Sequence, residues 1–178
     1  MGNSTWNQTV YSMPASAIAY NTYTTAKDIV PNADYTFPAQ FFQIGTKFKV
    51  HASGVISSFT SGTLTFQIVM GTTVINQAFD ALALVISQTN IKFDLEVVCE
   101  CRAVGAGTST TFVATGLFKT AAALLAVAVQ PLPSAATITA GTGVDGTATQ
   151  KLALWAGWSV SNAANSITVE QFEVITYN

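Results

Sequence analysis

The chain has one histidine, His51, and two cysteines, Cys99 and Cys101, so the side chains that most often do acid–base and nucleophilic chemistry are scarce. A catalytic histidine needs a Ser or Cys nucleophile at one ring nitrogen and an orienting acid at the other. His51 shares strand parity with Lys47 and Lys49, away from Phe48, Val50 and Ala52, which predicts a place at solvent or at an interface. Asp94, Glu96 and Glu100 fall on one face of one strand. Acid-pair hydrolysis needs two carboxylates facing each other across a cleft. Lys92 and Arg102 lie on the same face as these acids, so the pattern predicts an ion-pair ladder, across strands or across subunits. Cys99 and Cys101, two apart in a strand, have parallel side chains and Cα atoms about 6.5–7 Å apart, which predicts two buried thiols and no disulfide. With one imidazole there is no metal-ligand set. Residues 141–146 spell GxGxxG, but an alternating strand follows where a dinucleotide site needs a helix N-terminus, so a hairpin loop is expected. No catalytic residue, cofactor or metal is expected.

Composition narrows the classes further. Of 178 residues, 49% are hydrophobic and only 9% charged, with a net charge of −2. The seven Lys and Arg are dispersed along the chain, whereas nucleic-acid sites cluster cations to displace counterions. No nucleic-acid partner is expected. The first twenty residues lack a basic region followed by an apolar run, and the apolar stretch 121–129 is too short to span a bilayer. The expectation is a soluble, intracellularly made protein with no membrane partner.

The elements that must position these residues are strands. Leu64, Phe66, Ile68 and Met70 alternate with Thr65, Gln67 and Val69, and Phe93, Leu95, Val97, Cys99 and Cys101 alternate with a more polar set. A period of two puts successive side chains on opposite faces of a half-buried strand. Strands are expected at 47–57, 63–70, 73–79, 91–104, 110–119, 122–130, 136–140, 147–157 and 166–177, separated by turn-rich segments. About eight antiparallel strands without a long amphipathic helix predict an all-β, jelly-roll-like sandwich over residues 41–178. Residues 1–40 hold three of the five prolines and scattered aromatics with little alternation. They read as an extended N-terminal arm lying on its own barrel or on a neighbour, expected to be ordered mainly by another chain, with Trp6 and Tyr11 as anchors.

Uncharged or apolar residues on faces that solvent should wet point to association. Val98, Trp155, Phe172 and Val174 are opposite in parity to the core sets, and exposed patches of this kind mark interfaces. A homotrimer packed through Phe112, Leu117, Trp155 and Phe172 is the expected assembly.

Several segments resemble small virion proteins of tailed phages of actinobacteria. They are residues 19–28 (AYNTYTTAKD), 41–45 (FFQIG) leading into 50–57 (VHASGVIS), 62–71 (GTLTFQIVMG), 101–109 (CRAVGAGTS) and 163–172 (AANSITVEQF). The resemblance spans most of the chain. It implies a virion structural protein with a jelly-roll core and no catalytic residues. The expected role is a capsid decoration protein, assembled in the host cytoplasm, that binds the major capsid protein on the outside of the head as a trimer. The alternative is a tail or baseplate fibre component that binds a host receptor or glycan, for which an exposed Trp155 or Trp158 would be the sign.

Overall fold

A computed structural model describes residues 7–12, 19–20, 24–31, 35–76, 79–121, 124–125, 128–134 and 138–177. The described residues form two antiparallel sheets packed face to face, with six long strands carrying the core. These are β5 (Lys47–Ser58), β6 (Gly62–Met70), β9 (Gln88–Ala103), β10 (Thr110–Thr120), β13 (Gln150–Trp158) and β14 (Ser166–Tyr177). Sheet A runs β14-β5-β9-β10 through its long strands, and sheet B pairs β13 with β6. The pairings are nested: β5 with β14, β6 with β13, β9 with β10. This is a long hairpin rolled over itself, the winding of a jelly roll. Gly54 permits the β5–β14 contact, because a Cβ there would stand 1.9 Å from the Thr168 carbonyl oxygen.

Short strands cover the outer edges of these long ones. The free edge of β14 takes β1 (Asn7–Ser12) and β2 (Ala19–Tyr20), and that of β10 takes β11 (Val129–Leu132) and β12 (Gly141–Val144). In sheet B, β3 (Lys27–Asp28) and β4 (Tyr35–Phe37) line β13, while β7 (Thr73–Val74) and β8 (Leu82–Leu84) line β6. Very short edge strands are a standard protection against edge-to-edge pairing. Asn76 closes the gap between β7 and β8: its amide donates to the Phe66 carbonyl at 3.0 Å and accepts from the Ile68 N–H at 2.6 Å. Asn76 is buried, so one side chain stands in for a missing strand residue.

The interior is aromatic. Phe37, Phe42, Phe48 and Phe112 form one cluster with ring centroids 4.9–6.2 Å apart. Phe66, Phe93 and Phe118 form a second, at 5.6–5.9 Å.

Three expectations about the strands are corrected. Among the described residues of the strand expected at 73–79, ladder pairing covers Thr73–Val74, after which Ile75 and Asn76 fill the edge of β6; residues 77 and 78 lie outside the described residues. In the strand expected at 122–130, Leu124 and Leu125 instead turn into the core, and among the described residues ladder pairing begins at Val129; residues 122–123 and 126–127 lie outside them. Pairing expected within 136–140 falls on Gly141–Val144, inside the supposed loop; of the expected strand, residues 136 and 137 lie outside the described residues. At Gly141 a Cβ would meet the Ile75 backbone at 2.4–2.6 Å, so the first glycine of GxGxxG serves close packing and no helix follows it.

Of the two placements expected for the N-terminal arm, its described parts take the chain's own barrel. They pair with the chain's own sheets, and Ile29, Val30 and Phe37 belong to the core. Tyr11 lies against Tyr35 and Phe172 of the same chain, with centroids 6.5 and 6.2 Å away. Trp6 lies outside the described residues.

Candidate functional site

Three features of the surface bear on function: a charged face, an uncharged end and a polar cleft. The charged face is the outside of sheet A. Register brings His51 of β5 beside Glu96 of β9 and Glu173 of β14, and places Ser53 beside Asp94, which in turn faces Lys119 of β10. His51 Nε2 is 2.8 Å from Asp94 Oδ2, and its Nδ1 is 3.9 Å from Glu173 Oε2. Lys119 donates to Glu96 at 2.9 Å and stands 3.6 Å from Asp94 Oδ1, an oxygen that is buried without a hydrogen bond. Lys49 reaches Glu96 at 3.9 Å, and Lys47 and Arg102 hold Glu100 at 3.2 and 2.7 Å. The hydrogen bond from Lys119 holds the Glu96 carboxyl below its ordinary value, and the same contact raises the Lys119 ammonium. The Arg102 and Lys47 hydrogen bonds lower Glu100.

This geometry is that of a ladder within one chain. A catalytic imidazole needs one nitrogen turned toward a nucleophile, yet both nitrogens of His51 face carboxylates. The carboxylates are matched by cations along the sheet, and the shallow cavity at Asp94 is lined otherwise by Ser53, Lys92, Phe93, Lys119, Thr120 and Ala121. It has no second carboxylate across it. Sequence reasoning placed the acids and His51 on this face but missed Lys119 and Glu173. Their part depends on β10 and β14 flanking β9 and β5, which one strand's alternation does not reveal. Cys99 and Cys101 are both buried without a disulfide, the Cys101 thiol donates to the Ala103 carbonyl at 3.4 Å, and burial pushes both thiols up.

The proposed seam residues do not meet. Phe112 and Phe172 are 0% exposed, inside the chain's own core. Phe172 and Val174 turn inward because β14 carries a bulge between Val169 and Gln171, which reverses the parity of everything after it. Leu117 is exposed on the outside of sheet A, and Trp155 is partly exposed on the outside of sheet B. Val98 remains on the outer face of sheet A, partly exposed, while Trp158 points into the core. A single interface through Phe112, Leu117, Trp155 and Phe172 is therefore ruled out.

The uncharged end is formed, among the described residues, by the connections at 59–61, 85–87, 121, 124–125, 128 and 159–165, none of which contains Asp, Glu, Lys or Arg. Phe59 (44%), Val85 (40%), Ile86 (51%) and Val160 (41%) are exposed there. Buried Asn165 ties two of these connections together: it accepts from the Phe59 N–H at 2.8 Å and donates to Thr60 Oγ1 at 3.3 Å and to the Val160 carbonyl at 3.4 Å. The Val85 N–H donates to the Leu124 carbonyl, fastening a third. The apolar side chains thus stand on braced loops. The polar cleft lies on sheet B, lined by Thr24, Ala26, Thr63, Thr65, Gln67, Gly157, Trp158 and Ser159.

No family model, curated protein or solved structure matches the chain.

Proposed function

We propose that this protein is a non-catalytic virion component, a capsid decoration protein that binds the outside of a phage head as a trimer and stabilises the shell. The observation that carries the reading is the uncharged end with Phe59, Val85, Ile86 and Val160 exposed on braced loops. Apolar patches rimmed by polar surface mark contacts with other proteins. The covered sheet edges disfavour association by strand addition, which leaves end-on docking as the route to the major capsid protein and to sister copies. The ladder on sheet A satisfies its own charges and asks for no ionic partner.

Two measurements test this. Light scattering on the purified chain should give three times the 18.7 kDa chain mass, and Phe59→Ser with Ile86→Ser should reduce it to the monomer value. Cryo-electron density of particles bearing the protein should place it at three-fold positions of the head. A strict monomer that leaves no density on heads would overturn the reading.

A further inference from the structure

We infer that the cleft on the outside of sheet B is a binding site for a neutral saccharide. It holds about 250 Å³ and is lined by five hydroxyl or amide side chains, those of Thr24, Thr63, Thr65, Gln67 and Ser159. Most small-molecule pockets are mainly apolar with a few polar groups; this one reverses that balance. Among the described residues that line it there is no carboxylate and no Lys or Arg, and the nearest acid on this face, Asp28, lies beyond Trp155 and accepts from the Val30 N–H. The ligand that fits is therefore uncharged and rich in hydroxyls.

The polar groups are available for such a ligand. The side chains of Thr24, Thr65 and Gln67 make no hydrogen bond to another described residue. Ser159 Oγ accepts from the Thr63 N–H at 2.7 Å, which fixes the hydroxyl while leaving its own proton to donate outward. Hydroxyls and a carboxamide both donate and accept, as each sugar hydroxyl requires. Gly157 lets the Ala26 backbone come within 3.1 Å of where its Cβ would be, so Ala26 packs closely on β13 and forms one wall of the cleft.

An aromatic residue outside the lining, Trp155, adjoins the cleft through its strand partner Gln67. Trp155 is on the same face of β13 as Gly157, directly opposite Gln67 on β6 and Asp28 on β3. Its ring is partly exposed although it faces outward from a hydrophobic strand. A tryptophan offers a flat apolar face with a polar edge, suited to the C–H face of a sugar ring whose hydroxyls reach Gln67 and Thr65.

The inference concerns a different surface from the decoration contact, and its test uses the isolated full chain, so the two stand or fall separately. The chain is applied to a printed array of neutral and acidic glycans, and the strongest neutral ligand is then titrated by calorimetry. Binding should be confined to neutral glycans. Gln67→Ala and Trp155→Ala should each weaken it by about tenfold, the cost of one lost polar or stacking contact, with unchanged melting temperature. Ser53→Ala, at the sheet A cavity, is the control and should bind as the native chain does. No neutral glycan bound, binding to acidic glycans alone, or affinity indifferent to both cleft substitutions would each overturn the assignment.

Discussion

Two asparagines, Asn76 and Asn165, are the polar residues on which the sandwich most depends, since each satisfies backbone groups that no strand reaches. Asn76→Ala orphans the Phe66 carbonyl and the Ile68 N–H in a buried place. Chemical denaturation should show a loss of about 1–3 kcal/mol. Asn165→Ala should cost a similar amount and, in hydrogen exchange, release the Phe59 amide first. In the aromatic core, Phe112→Ala should cost about 3–5 kcal/mol by cavity formation, while Leu117→Ala, on the outer face, should stay within about 0.5 kcal/mol. The reverse ranking would restore Phe112 to a surface role. The ladder gives a pH signature. Glu96 is held below its ordinary 4.5 by Lys119, so the stability it contributes is complete above 4.5 and lost as pH falls through the lower folded value. Lys119 is raised above 10.5 by Glu96, so its contribution is complete below 10.5 and lost as pH rises through the raised value. Lys119→Met should therefore shallow the fall in urea midpoint as pH drops from 4.5 through the lower folded value of Glu96. An unchanged slope would show that the contact does not hold in solution.

At the scale of elements, the bulge in β14 matters most. Val169 pairs with Gly54 and Gln171 with Ser53, so Glu170 is the extra residue. Deleting Glu170 leaves Ile167, Val169, Phe172 and Val174 facing inward on a regular strand, and the variant should melt within a few degrees of the native chain. Deleting Thr168 instead turns Ile167 outward and should lower the melting temperature severely. Equal effects would mean that the bulge is not where parity changes. This residue also explains what could be read beforehand. The long strands were legible because each alternates cleanly, with ends at 47, 110, 166 and 177 found as expected. Phe172 and Val174 were misplaced because an inserted residue looks, in sequence, like a switch of exposed face. The strands of two to four residues were not legible, because two residues carry no period. For the same reason the first forty residues read as an arm, when short pairings and single plugs such as Phe37 bind the described parts of it to the core. Deleting residues 1–40 should therefore abolish cooperative unfolding; a sharp native-like transition in the truncated chain would reinstate the arm.

At the scale of the whole molecule, the surface divides its tasks: one face neutralises its own charge, one end is apolar and braced, and one cleft is polar and uncharged. The face was foreseeable in part, from the acids of β9. The end was not, because its connections are far apart in sequence and only the rolled hairpin gathers them. The two buried thiols have a practical consequence at this scale. Cys99 sits within β9, between β5 and β10, and no reagent can reach it while those three strands stay paired. Both thiols are also kept protonated by burial, hence unreactive. The rate at which a small aromatic disulfide reagent is consumed therefore acts as a stopwatch for the opening of the sandwich, with no label added. Simultaneous modification of both cysteines would time the parting of the whole sheet, and earlier reaction of Cys101, nearer the strand end, would time fraying.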